Sequence, residues 1–459
     1  MRRPALLALT LLSALPLAAA EPAAKRPLTV EDIWSVVRVG APVVSRDGAV
    51  AVYTRAVWDA EKNRLLSDLW LQPVAGGPGR RLTSHEAGES SPAISPDGTR
   101  IAFVAKRDGD EVAQLYLLRL DGGESERLTD LPSAPGSPRF TADGRRIVFS
   151  ANVLGESLET TKAELARRKK EEKTRVLATV SERRLIRYWD RWLEQDEWPH
   201  LFSVDVVTRA VTDLTPGMKR LGRLEGGLDF DVAPDGSVVF ASNSTEPPYR
   251  ALNTDLFLVP ASGGAPRNLT ADNPAEDTSP VFSPDGRTIA YGREAKGDGW
   301  PDRTRLVLLD VASGKTKVLT ESWDRVPQGW SFTPDGRTLV FLAEDRARTH
   351  VWSLPVSGGT PRVVWKGGRA NALEVAGPAG LVFTYTTFRR PAELAAVKLD
   401  GTGFRNLTSW NDALMTQIAF GEEREVVFKG AGGDEVLMFV VHPPGFEKGK
   451  TYPLVHVVH

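Results

Sequence analysis

Apolar and polar positions repeat one form along most of the chain. A short apolar run leads to a turn, and an alternating run follows. "SPAISPDGTRIAFVA" from Ser91, "SPRFTADGRRIVFSA" from Ser137 and "SPVFSPDGRTIAYGR" from Ser279 show it most plainly. "DFDVAPDGSVVFAS" from Asp229 and "GWSFTPDGRTLVFLA" from Gly329 share the form, and looser copies start at Ala41 and Glu374. Alternation of this kind predicts β-strands. The turn between them has its own chemistry. Proline sets φ at the first turn position, aspartate bonds the backbone beyond it, and glycine takes the left-handed conformation that closes the hairpin. A third strand follows each pair, as in "DLFLVPASGG" and "HVWSLPVSGG". A fourth is expected to begin near Leu82-Thr83, Leu128-Thr129, Leu214-Thr215, Leu269-Thr270, Leu319-Thr320 and Leu407-Thr408.

The turn aspartates are Asp47, Asp97, Asp143, Asp235, Asp285 and Asp335, at spacings of 50, 46, 92, 50 and 50 residues. The long spacing is one period plus an insertion of about 45 residues. Four antiparallel strands per unit, in seven units, predict an all-β fold: a seven-bladed β-propeller over residues 41–410. Eight blades would require the N-terminal segment, 21–40, to add an irregular one. Hairpin chemistry accounts for the Asp-Gly pairs, so no metal is assigned to them.

The insertion, about 158–199, is full of helix formers and is expected to be helical. Its mixed Arg/Lys and Glu run, including Glu171-Glu172, reads as a solvated helix face. Tyr188, Trp189, Asp190, Arg191 and Trp192 end it with large aromatics around a charged pair. A helix packed on the propeller rim is the simpler reading. The other is a pocket lining in which Asp190 holds an amine, or Arg191 a carbonyl or carboxylate.

The first 20 residues, "MRRPALLALTLLSALPLAAA", combine two arginines, an apolar core and an A-x-A site. They are expected to be a signal peptide cleaved after Ala20, which implies a periplasmic or secreted protein without a membrane anchor. The net charge of −1 supplies no reason to expect nucleic acid as a partner. With no cysteine in the chain, disulfides, thiolate metal sites and a cysteine nucleophile are excluded. His456 and His459, three apart in a strand, would point to opposite faces and should not share an ion. No cofactor or metal is expected.

From about residue 411 the pattern changes. "EVVFKGAGGDEVLMFVVHPPGFEKGKTYPLVHVVH" reads as a hairpin, a polar loop and a final apolar strand of the kind buried in a covered α/β sheet. This tail resembles the opening of the catalytic domain of the prolyl oligopeptidase family of serine peptidases. The family joins an N-terminal propeller to a C-terminal α/β-hydrolase domain that commonly begins "P-x-G-F" and then "Y-P-L-[V/I]-x-x-x-H-G-G-P". Pro443-Pro444-Gly445-Phe446 and Tyr452-Pro453-Leu454-Val455 match, with His459 at the histidine. "EDIWSVVRVGAPVVSRDG" from Glu31 resembles the family's entry into its first blade. "RYWDRWLEQDEWPHLF" from Arg187 resembles a segment of its bacterial dipeptidyl-peptidase and acylaminoacyl-peptidase branches.

The resemblance implies that 411–459 is an incomplete start of the peptidase domain and that His459 opens the oxyanion loop. It also implies that the Ser-Asp-His triad lies beyond His459, with no catalytic residue in this chain. A G-x-S-x-G elbow is indeed missing, since "GWSFT" at Gly329 has Thr333 in place of the second glycine. The implied substrates are short peptides, screened by the propeller, and a homo-oligomer is left open. The rival expectation is a non-enzymatic, TolB-like periplasmic propeller that binds protein partners. The tail argues against it, because half a sheet without a partner has nothing to bury it.

Overall fold

The computed structural model describes residues 24–171, 187–188, 191–192, 197–220, 222, 227–245, 253–297 and 302–458. The repeated segments form seven sheets, each from one continuous stretch of chain and each antiparallel throughout. The innermost strands of blades 2 to 7 are Glu89–Ile94, Gly136–Phe140, Phe230–Val232, Asp277–Phe282, Pro327–Phe332 and Arg369–Val375. Blade 1 splits this strand into Arg38–Val39 and Val43–Val44. Neighbouring inner strands touch one another around a closed ring, with blade 7 meeting blade 1. The ring therefore encloses a central channel lined by the first strand of every blade.

Seven apolar clusters hold the ring, one at each blade interface. The second strands explain why. Val52 packs toward blade 2, whereas Ala51 and Tyr53 pack toward blade 7. Each central strand is thus buried on both faces, and its side chains go alternately to the two neighbours. No strand crosses between blades 1 and 7, so that seam rests on side chains and on the flanking segments. Asn411 accepts from the Val37 N–H at 2.8 Å and donates to the Val37 carbonyl at 3.0 Å. The buried Glu393 in turn accepts from Asn411. Arg26 and Ile418 add a parallel bridge.

The fourth strands differ from expectation. They end just before the Leu-Thr pairs instead of beginning there, as Arg80–Arg81, Glu126–Arg127 and Thr316–Val318 show. The threonine is a clasp: its hydroxyl accepts the N–H of a third-strand residue 14 positions earlier. The pairs Leu69–Thr83, Leu115–Thr129, Leu201–Thr215, Leu256–Thr270, Leu306–Thr320 and Leu394–Thr408 all do so at 2.9–3.0 Å. Once the side chain takes that donor, the backbone is free to leave for the next blade.

The insertion also differs. Helix Leu158–Glu171 forms as expected. Glu197–Asp205, which includes Pro199, is the third strand of blade 3, paired with Arg146–Leu154. Arg187–Tyr188 and Arg191–Trp192 pair as a small hairpin, so the aromatic segment is not the end of a helix. Aromatics favour pleated pairing once a turn brings two short runs together. The tail hairpin, Glu423–Lys429 with Glu435–Val441, forms as expected. The final apolar run does not become a strand: Leu454 is 88% exposed and Val455 85%. No described strand pairs with it, and an unpaired strand has no local reason to form. The expected signal peptide lies outside the described residues. No helix among the described residues is long and apolar enough to cross a membrane.

Candidate functional site

In blades 1 to 6 the first strand ends at the Asp-Gly turn, and in blade 7 at the turn Gly377–Ala379. Antiparallel pairing then puts all such turns on one face of the ring, the turn face. The connections between second and third strands, and those between blades, lie on the other. This second face carries the longer additions to the blades among the described residues. The blade 3 insertion leaves from it, as does the long blade 1 hairpin Val50–Asp59/Arg64–Pro73. The capped helix Val30–Ser35 lies there too, with the Trp34 ring tilted against that of Trp58 at 4.5 Å.

The tail hairpin is tied to the same face. Glu425 accepts from Arg346 and Arg348 of blade 6, and Glu423 accepts from Arg389 of blade 7. Phe439 packs on Phe388 at 5.3 Å and lies under the Arg348 guanidinium at 4.8 Å. These exposed ion pairs orient the hairpin more than they stabilise it. Beyond it, His442 stacks on Phe446 at 4.0 Å, and the Tyr452 hydroxyl accepts the Glu447 N–H at 2.9 Å.

The inner strands that line the channel share a repeated distortion. Ser91, Ser137, Ser279, Gly329 and Ala372 occupy one repeat position, each with φ between 50° and 54°. A register shift follows or spans each of them. Such a bulge bends the strand and re-aims the side chains after it. Only one of the five is glycine, so the left-handed conformation costs energy at the others and is held by the ring around it.

Beyond the bulge comes one layer of the channel wall, recognisable by register. Its residues pair with Val52, Ala102, Val148, Val239, Ala290, Val340 and Val382 of the second strands. Four are uncharged: Val43, Ala93, Val281 and Ser331. Three are charged: Arg139 of blade 3, Asp231 of blade 4 and Glu374 of blade 7. Arg139 lies 3.4 Å from Asp231 and over the Phe230 ring at 5.7 Å. Asp231 also accepts the Phe282 N–H at 2.8 Å. In a ring of seven, blade 7 stands opposite blades 3 and 4. The Glu374 carboxyl faces those charges across the lumen and makes no hydrogen bond or ion pair with a described residue. Crowding by the channel wall pushes Glu374 up to about 7; Arg139 opposes that and Asp231 adds to it. Burial likewise raises Asp231, against the pull of Arg139. Channel water reaches part of both side chains and works against the crowding.

A cleft of about 510 Å³ opens between blade 2 and the insertion helix, beside Leu165, Arg127, Asp130 and Lys169. Most of its charges are mutually paired, Arg127 with Asp130 and Asp110, and Lys169 with Glu111. Lys162, which also lines it, makes no ion pair with a described residue.

Of the residues singled out from the sequence, Tyr188 and Arg191 face each other in the small hairpin, and Trp192 pairs with Arg187. Trp189, Asp190 and His459 lie outside the described residues. The propeller histidines are structural. His200 is buried between Asp213 and the Met218 carbonyl, both at 2.8 Å, and burial lowers His350. Sequence reading missed the charged layer. Its signal was a charge at the third position of "SPRF", "DFDV" and "ALEV", where the other copies carry Ala, Val or Ser.

The comparisons with known proteins agree on the architecture. Residues 65–181 match the Tricorn protease N-terminal β-propeller domain. The chain is 28% identical over 443 residues to dipeptidyl-peptidase 5 of Porphyromonas gingivalis, covering 93% of this chain and 62% of that protein. Acylaminoacyl peptidase of Pyrococcus horikoshii superposes over 93% of the chain and 61% of its own, with a TM-score of 0.71 at 15% identity. The β-propeller domain of the trilobed protease from Pyrococcus furiosus, titled as having an open velcro topology, superposes over 82% of this chain and 99% of its own. Its TM-score is 0.58, at 15% identity. The chain spans about three fifths of the length of the first two.

Proposed function

For a chain that carries the propeller of a prolyl oligopeptidase-family peptidase, we propose a role in admitting short peptides to a serine peptidase. The activity is of dipeptidyl or acylaminoacyl type. The propeller channel and the face bearing the tail hairpin screen what reaches the catalytic groups. Residues 411–459 begin the peptidase domain, and the serine, aspartate and histidine follow His459. Serine attacks the scissile carbonyl, histidine carries the proton, and water hydrolyses the acyl-enzyme. The tail loop leads into the backbone donors that hold the oxyanion. Tyr188, Trp189, Asp190, Arg191 and Trp192 contribute to substrate binding. Export by the N-terminal 20 residues makes the protein periplasmic or secreted.

One observation carries this reading. The match to dipeptidyl-peptidase 5 runs through 93% of the chain rather than through the repeats alone. A TolB-like binding propeller accounts for the blades but not for the tail hairpin, which is ion-paired to blades 6 and 7.

The test compares two proteins: these 459 residues, and the product of the reading frame continued past His459. Each is given an Ala-containing dipeptidyl chromogenic substrate and a phosphonate active-site label. Turnover and labelling are expected only of the longer protein. Labelling of a serine within the 459 residues would overturn the assignment of the triad, and an inactive longer protein would overturn the peptidase reading.

A further inference from the structure

The charged layer of the channel has a property that fold stability does not require. Arg139 is occupied: it lies against Asp231 and over Phe230. Asp231 has both Arg139 and the Phe282 N–H. Glu374 has neither a cation nor a donor, although a cation stands on the opposite wall. A glutamate that served the ring would be paired to a neighbour, as Glu393 is to Thr408 and Asn411. Glu89 likewise has Thr83 and Arg107. Glu374 instead belongs to the channel layer, whose other positions, apart from Arg139 and Asp231, are apolar or small. The bulge at Ala372, two residues earlier, sets its direction.

Ring closure and register put Glu374 at the same level of the channel as Arg139 and Asp231 of the opposite blades, whose charges act on its carboxyl. A chain passing through must therefore come close to it. With one cation paired to one carboxylate, the unpaired carboxylate decides the local potential. Low-dielectric walls on all sides focus that potential along the axis. Ser331 in the same layer offers a hydroxyl to a bound group.

We propose that this layer is a cation-binding constriction in which Glu374, with Asp231 across the lumen, holds the ammonium or guanidinium side chain of a passing peptide. It thus favours cationic over anionic peptides. The proposal deepens the reading of the propeller as an entry filter and rests on it for its purpose, but the binding it requires does not depend on catalysis.

The test measures binding to the full 459-residue chain by calorimetry at pH 8 and low salt, where Glu374 is charged and screening is weak. The probes are N-acetyl-Ala-Lys-Ala-amide and N-acetyl-Ala-Glu-Ala-amide, whose blocked ends leave one charge each. The lysine peptide is expected to bind about tenfold tighter, equivalent to about 1.4 kcal/mol. Glu374→Gln, nearly isosteric, should abolish that preference. Arg139→Gln should increase it, because it frees Asp231. Asp121→Asn, in an exposed turn between the two outer strands of blade 2, should leave it unchanged and controls for net charge. Equal binding of the two peptides, or a preference that survives Glu374→Gln in a folded protein, overturns the proposal. The opposite-signed effect of Arg139→Gln keeps it falsifiable if the glutamine variant fails to fold. Charge-selective binding together with an inactive longer protein would sink the peptidase reading and leave the constriction standing. The reverse result would sink only the constriction.

Discussion

Asp277 opens the inner strand of blade 5 and is fully buried. Asn273 donates to its Oδ1 at 3.0 Å, but its Oδ2 has no partner. The hydroxyl of the buried Tyr291 also has none. Burial pushes the Asp277 carboxyl from 3.8 up to about 8, against smaller opposing contributions from Thr270, Arg293 and Asn273. The folded pKa is therefore above the unfolded one, and the native state holds the proton more tightly. Such a group contributes most to stability below its unfolded pKa, and that contribution is lost as pH rises from about 4 through about 8. A difference of about 4 units at 1.36 kcal/mol each bounds the loss at about 6 kcal/mol above pH 8. Movement of Tyr291 or Arg293 toward the charged carboxylate would reduce it to roughly 2–4 kcal/mol. Asp277→Asn keeps the acceptor for Asn273 and removes the titration. Urea unfolding followed by tryptophan fluorescence should give similar stabilities for the two proteins at pH 4. At pH 9 the asparagine variant should be more stable by that amount, with a flatter pH profile between. Parallel profiles for the two proteins would show that the carboxyl is solvated, and would refute the argument.

Two further perturbations probe the ring. Thr320→Val removes the acceptor for the buried Leu306 N–H and should cost about 1–3 kcal/mol, whereas Thr320→Ser should cost much less; urea midpoints would separate them. Gly48 has φ +74°, and a methyl there would collide with the Ala376 carbonyl of blade 7, whereas Gly98, at φ +69°, has open space around it. Gly98→Ala should cost only the left-handed conformation, about 1 kcal/mol. Gly48→Ala should cost clearly more and speed hydrogen exchange first along the blade 1–blade 7 seam; equal losses would mean that the seam is not closed by this contact.

Much of this architecture is local chemistry and could be read from the residues. Each Pro-Asp-Gly turn is closed by its own aspartate, as when Asp97 accepts from Ser95 and from the Thr99 N–H. Turns of this kind at a steady period require repeated hairpins, whatever surrounds them. The tail hairpin and the Leu158–Glu171 helix follow from the same short-range rules. Other features depend on partners far away in the chain. "YPLVHVV" has the composition of a buried strand, but a strand exists only where an edge receives it, and here the run stays exposed. The aromatic segment at 187–192 pairs as a hairpin because pairing, and not helix propensity, satisfies its backbone. The charged layer is the clearest case. Arg139, Asp231 and Glu374 are separated by 92 and 143 residues, and nothing local relates them. They meet because seven apolar interfaces close the ring, and in the blades of Arg139 and Glu374 a bulge re-aims the side chains at the level of Asp231. The sequence by itself determined the repeated unit and its turns; ring closure decided which charges share a channel.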